Sequence, residues 1–154
     1  MGAKAATMLV ATLMLGGVAA TRLAGQSQYD KYINGADVQK VTGVTGVKLV
    51  PKTEEADGDL NFARPDGKII LSVSFYPASA FSSARSSRSG FKSSLKGVGE
   101  EAFVGPANGP PLYILAFRKG SYTVVLNTEL EDKSSARLPL EQLVAIAKLM
   151  ASRM

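Results

Sequence analysis

Leu60, Phe62, Leu71, Val73 and Phe75 are separated by polar or small residues on either side of Asp66-Gly67. A period of two interrupted by such a dipeptide predicts two strands joined by a tight turn. If Asp66 and Gly67 fill a two-residue type I′ turn, both take positive φ. Arg64 then faces Ile69, Phe62 faces Leu71 and Leu60 faces Val73, which makes one mainly apolar face that Phe75 extends. The other face pairs Ala63 with Ile70 and Asn61 with Ser72 and is more polar. A slip of one residue would exchange the two faces, so the register is well specified.

A second hairpin follows the same plan. Lys119-Gly120 lies between two runs rich in β-branched and aromatic residues, Leu112 to Arg118 and Tyr122 to Leu126. A two-residue turn at Lys119-Gly120 pairs Phe117 with Tyr122, Leu115 with Val124 and Tyr113 with Leu126, an apolar face suited to a core. The opposite face carries Leu112, Ile114, Ala116, Thr123 and Val125, which is more apolar than a water-facing surface requires. This is the candidate ligand or partner face. It is the floor of a ligand groove, a contact between copies, or a surface covered by a loop.

Helical spacing appears in three places. Gly35 to Thr42 predicts a short helix closed by Gly43, and Val47 to Val50 a strand stopped by Pro51. Ser79 to about Ser89 predicts a weak helix because it is rich in serine. Pro139 and Glu141 favour a helix start, and Leu140, Leu143, Val144, Ala147, Met150 and Met154 then recur at a spacing of three or four. A packed C-terminal helix over 139–153 follows. The expected fold class is α+β: an antiparallel sheet of about five or six strands, made of two β-hairpins plus extra strands, with helices packed on one face. Gly-Val motifs precede both hairpins (Gly43-Val44-Thr45-Gly46-Val47 and Gly97-Val98-Gly99). An ancient duplication and convergent hairpin chemistry both account for them.

The N-terminus reads differently. Lys4 precedes Met8 to Ala20, a run of apolar and small residues, and no acidic residue occurs before Asp30. A spanning helix needs about 20 apolar residues, so this shorter run fits the core of a signal peptide. Small residues place cleavage after Ala20 or after Gly25, and an uncleaved N-terminal helix is the alternative. The expected organisation is a signal peptide over 1–25, an extended lead-in over 26–34 and a single α+β domain over 35–154. The expected location is exported, periplasmic or extracellular. Gln26 stands where a lipidated cysteine would follow the cleavage box, and the chain contains no cysteine, so lipoprotein anchoring is excluded.

Charge adds little. The full chain carries +5. Without Lys4 and Arg22, sixteen basic side chains stand against thirteen acidic ones, a net +3. That suits solubility and weak attraction to anionic surfaces, but it is no nucleic-acid footprint, and no recognition-helix or RNA-binding motif accompanies it. Arg85, Arg88, Lys92 and Lys96 are spaced by three, four and four. On a continuous helix they would form a basic stripe beside Phe81, Ala84, Phe91 and Leu95, a candidate contact for an anionic membrane surface or an acidic partner. Gly90 and the intervening serines favour a solvated polar segment instead.

The chemistry open to the chain is narrow. It has no histidine and no cysteine, which removes the commonest general base, Ser-His-Asp arrangements, thiol nucleophiles and cysteine- or histidine-built metal sites. No phosphate-binding or dinucleotide-binding glycine pattern occurs. Glu54, Glu55, Asp57 and Asp59 lack the spacing of a calcium loop. Glu100 and Glu101 are adjacent, and neighbours on a strand point to opposite faces, so they do not form a glycosidase pair. No cofactor is expected, and the ligand, partner and oligomeric state stay open.

The segment Gly97-Val98-Gly99-Glu100-Glu101-Ala102-Phe103, the hairpin from Leu112 to Leu126, the Leu- and Ala-rich C-terminal helix and the opening Ala36-Asp37-Val38…Thr42-Gly43 resemble small exported bacterial domains. These are lipoproteins and sensor-like extracellular domains similar to the DUF3558 group. The resemblance implies a non-catalytic module and brings no active-site residues. Many such domains carry a lipobox cysteine and a disulfide, and this chain has neither. The expected function is a non-catalytic periplasmic or secreted binding module. The alternatives are an envelope-surface module acting through the basic stripe, or a carboxylate-based enzyme. Mass spectrometry of the exported fraction should read a mature chain beginning at Thr21 or Gln26, and an intact Met1 mass in the membrane fraction would refute export with cleavage.

Overall fold

The computed structural model describes residues 28–50, 58–86, 93–106, 112–132 and 137–154. The segment expected to be a signal peptide lies outside them. Among the described residues no helix is long and apolar enough to cross a membrane.

The elements in chain order are α1 (Gly35–Thr42), β1 (Lys48–Val50), β2 (Asp59–Ala63), β3 (Ile69–Pro77), α2 (Ala80–Ser86), β4 (Ser93–Ser94), β5 (Glu101–Pro106), β6 (Tyr113–Lys119), β7 (Tyr122–Thr128) and α3 (Leu140–Arg153). All strand pairs are antiparallel, and the sheet order is β1-β2-β3-β7-β6-β5-β4. The fold is α+β, as expected. The sheet has seven strands rather than five or six, because the serine-rich segment contributes a two-residue edge strand, β4.

Both hairpins form, and both turns differ from the expected ones. In the first, Arg64 N–H donates to Lys68 O at 3.0 Å and Gly67 N–H donates to Arg64 O at 2.9 Å. Pro65 and Asp66 therefore occupy the centre of the turn, and Gly67 follows at φ +81°. Proline has its φ preset for the first central position of a type I turn, so Pro65 draws the turn one residue back and lengthens the loop to three. A register shift between Phe62 and Ala63 compensates. Ala63 faces Ile69, while Phe62–Leu71, Asn61–Ser72 and Leu60–Val73 pair as expected. In the second hairpin the turn is Gly120-Ser121, with Lys119 opposite Tyr122. Gly120 (φ +54°) sits first in the turn, where positive φ is required. Phe117 thus faces Val124 and Leu115 faces Leu126, two residues from the expected register. A shift of two keeps every side chain on its face, so the sorting into core and back face survives.

The front of the sheet presents Leu60, Phe62, Leu71, Val73, Phe75, Leu115, Phe117, Val124 and Leu126, all buried in the main core. Helices α1 and α3 close this face through Val38, Leu143, Ile146, Ala147 and Met150. Pro139 serves as the N-cap of α3 with extended backbone (φ −63°, ψ 154°) and makes no side-chain cap. Helix α1 has a reciprocal cap in which Asn34 Oδ1 accepts from Asp37 N–H at 3.0 Å and Asp37 Oδ2 accepts from Asn34 N–H at 3.1 Å, satisfying two donors that the first helical turn leaves open. Gly43, at φ +73°, ends the helix by donating to Gln39 O at 2.8 Å.

Two expectations need correction. Residues 28–32 are not an extended lead-in: they form a turn in which Tyr32 N–H donates to Tyr29 O at 2.9 Å. Aromatic packing holds this turn to the sheet, since Tyr29 stacks on Phe75 with centroids 4.1 Å apart and meets Tyr122 edge-on at 5.9 Å, and Ile33 is fully buried. The helices also do not all share one face. Phe81 of α2 packs with Phe103 and Ala116 in a separate cluster. Phe103 and Ala116 alternate with the core residues Val104 and Leu115, so α2 stands on the back of the sheet.

Asp37 also ties the chain ends of the domain together. Its carboxylate takes two hydrogen bonds from the Arg153 guanidinium, at 2.6 and 2.7 Å. That pair, aided by the Asn34 backbone, holds the Asp37 carboxyl below its ordinary pKa against the opposing effect of burial. A lowered folded-state pKa adds stability above the unfolded value, and this is lost as pH falls through the folded value. Asp37→Asn should therefore cost about 1 kcal/mol at pH 7. The gap to the natural protein should narrow below about pH 4, as read by denaturant unfolding at a series of pH values; a gap independent of pH would refute the linkage.

Candidate functional site

The back of the sheet is built by β-alternation. Ser74, Val125, Ala116 and Phe103 form one row across β3, β7, β6 and β5, and Ser72, Asn127 and Ile114 form the next. Helix α2 crosses above them. Its sequence, Ala80-Phe81-Ser82-Ser83-Ala84-Arg85-Ser86, has one large apolar residue, and Phe81 meets Phe103 with ring centroids 5.2 Å apart. The start of the helix is fixed through Ala78, whose N–H donates to Ser121 O at 2.9 Å and whose carbonyl accepts from Thr123 Oγ1 at 3.2 Å. The other inward side chain, Ala84, is short, so the helix packs on the sheet through Phe81 and Ala84 and leaves space beside them.

That space is a groove of about 350 Å³ lined by Tyr76, Ala80, Ser83, Ala84, Phe103, Ile114, Ala116, Val125 and Asn127. Its floor is apolar, and Tyr76, Ser83 and Asn127 supply the polar atoms. Among the described residues that line it, none carries a charge.

Ile114, Ala116 and Val125 of the expected ligand or partner face line the groove. Thr123 does not, because it is fully buried with its hydroxyl bonded to Ala78. Leu112 precedes β6, is half-buried and lies outside the lining. Asn127 was legible, since it continues the alternation of Thr123 and Val125. Tyr76 and Phe103 were not, because their place depends on which strands β7 and β6 take as outer neighbours.

Arg85 and Lys96 of the expected stripe do not share a helical face. Helix α2 ends at Ser86, and Ser93–Ser94 is a strand paired with Val104 and Phe103. Serine side chains compete for backbone hydrogen bonds and weaken a helix, and the edge of β5 offers the backbone better partners. Arg85 is exposed on α2, and Lys96 is exposed in the turn after β4. Arg88 and Lys92 lie outside the described residues. The apolar companions separate as well: Phe81 belongs to the back cluster, whereas Leu95 packs against the main core.

The acidic candidates also find their places. Glu54, Glu55 and Asp57 lie outside the described residues, and Asp59 begins β2. Glu100 precedes β5, so strand alternation does not separate it from Glu101. Both carboxylates meet the Arg118 guanidinium, at 3.1 and 2.8 Å, and Glu100 Oε1 also accepts from Gly120 N–H at 3.0 Å. The pair clamps the β6–β7 turn. The Gly97-Val98-Gly99 motif makes this approach possible. Gly99 has φ +59°, and a Cβ there would stand 2.5 Å from Arg118 O.

No family model, curated protein or solved structure matches the chain. Phe81→Ala should release α2 from the sheet, at a cost of about 3 kcal/mol or less for a cluster this small. Amide hydrogen exchange should accelerate in α2 while α3 keeps its protection; equal acceleration in both would show that α2 is not an independently docked element.

Proposed function

We propose that the protein is an exported, non-catalytic binding module whose ligand seats in the groove between α2 and the back of the sheet. The observation that carries this reading is the groove itself. It is a concavity with an apolar floor and a few convergent polar groups, the usual make-up of a small-molecule site. It lies under a short helix anchored by the Phe81–Phe103 contact, by Ala84 and by the hydrogen bonds of Ala78 at its start. The leader-like run from Met8 to Ala20 supports export. The resemblance to small exported bacterial domains points to the same class of protein. An anionic-surface contact through the basic stripe has less support, since Arg85 and Lys96 stand on different elements.

N-phenyl-1-naphthylamine, a neutral probe that brightens in apolar sites, tests the reading. The protein should enhance its fluorescence with saturation in the micromolar range. Ser83→Trp, a change at an exposed lining position, should weaken binding tenfold or more and leave the thermal midpoint within a few degrees. Saturable binding that Ser83→Trp leaves intact would place the site elsewhere, and no enhancement at all would overturn the proposal.

A further inference from the structure

The polar atoms of the groove constrain what it can hold. Asn127 lies near the end of β7, half-buried between Ser72 and Ile114. Neighbouring polar groups do not engage its amide. Ser72 Oγ donates instead to Asn61 Oδ1, at 2.7 Å, and among the described residues the Asn127 side chain makes no hydrogen bond. A carboxamide offers two donors and an acceptor, and here they are open to whatever enters the groove, since the Asn127 amide is not among the buried unpaired atoms.

Charge limits the choice further. Among the described residues the groove lining carries no ionised group. The back-face cation of β6, Arg118, lies two residues along from Ala116 and is held by Glu100 and Glu101. A carboxylate or phosphate entering the groove would lose hydration without meeting a counter-ion, and an ammonium group would fare no better. A carboxylate can only accept hydrogen bonds, and an ammonium can only donate them. A hydroxyl or carboxamide does both, which matches both ends of the Asn127 amide.

We infer that the groove selects neutral amphiphiles, with an apolar body on Phe103, Ala116 and Val125 and a hydroxyl or carboxamide head on Asn127. The inference rests on the groove being the binding site and adds the class of ligand. The volume of about 350 Å³ suits a single short chain or ring system rather than a folded partner.

Displacement of N-phenyl-1-naphthylamine by 1-octanol and by octanoate at pH 7, below the concentrations at which either aggregates, tests it. Octanol should displace the probe at concentrations at least tenfold lower than octanoate. Part of that advantage is the greater apolarity of the alcohol, so the decisive quantity is its dependence on Asn127. In Asn127→Leu, the preference for octanol should fall fivefold or more. In Asn127→Asp, which preserves shape and guards against a folding failure of the first variant, octanoate should be rejected more strongly still and octanol should weaken. A preference unchanged in both variants, or better displacement by octanoate in the natural protein, would overturn the neutral-head inference and leave the groove standing. Displacement insensitive to Ser83→Trp would remove the groove itself, and the inference with it.

Discussion

The pairing of β3 with β7 is the constraint on which the rest of the molecule depends. Seven residue pairs, from Leu71 opposite Thr128 to Pro77 opposite Tyr122, join two meanders that are otherwise local in sequence. Each meander alone would expose an unpaired strand edge and half of a hydrophobic face. Joined, they form one sheet broad enough to seat α1 and α3 on the front. Because this pairing spans about fifty residues of chain, the entropy of closing that loop precedes any return from contacts. The large apolar side chains of Leu71, Val73, Phe75, Val124 and Leu126 on both strands supply the compensation.

Either side of the β3–β7 pair carries a three-strand meander, β1-β2-β3 and β5-β6-β7, and β4 extends the second by one edge strand. Both meanders are entered through glycines at positive φ, Gly43 and Gly46 before β1, Gly97 and Gly99 before β5. The helices break the likeness. The two-fold relation of an antiparallel pair would leave both helices on one face, yet α2 covers the back and α3 the front. The functional asymmetry follows from their compositions. Helix α3 brings Leu143, Ile146 and Met150 to a sealed core. Helix α2 brings alanine and serine to a face that it cannot fill, and the unfilled part is the groove.

Ionic contacts fasten segments that the sheet leaves loose. Arg153 on α3 reaches Asp37 on α1. Glu131, after β7, gathers Arg64 and Lys68 from the first hairpin at 3.1 Å and Arg137 at 3.3 Å, and its carboxyl is held below the ordinary value by Lys68 first and Arg64 second. Exposed pairs of this kind contribute little individually. Their effect here is placement. Arg118, a back-face cation of β6, is held by Glu100 and Glu101.

The sequence by itself determined the local structure. Period-two alternation marked both hairpins and told the front from the back, and the spacing from Leu140 onward marked α3, because each depends only on residues close along the chain. It misplaced both turns, since Pro65 and Gly120 impose φ requirements that outweigh the dipeptide pattern. Helical spacing alone would align four basic residues in one stripe, and Gly90 with the intervening serines already argued against a helix long enough to carry it. Tertiary structure alone decided which strands became neighbours, on which face α2 landed, and that Tyr76 and Phe103 would meet Ile114, Ala116, Val125 and Asn127 around one groove. Those outcomes rest on contacts between residues far apart in the chain, and no local pattern of polar and apolar positions encodes them.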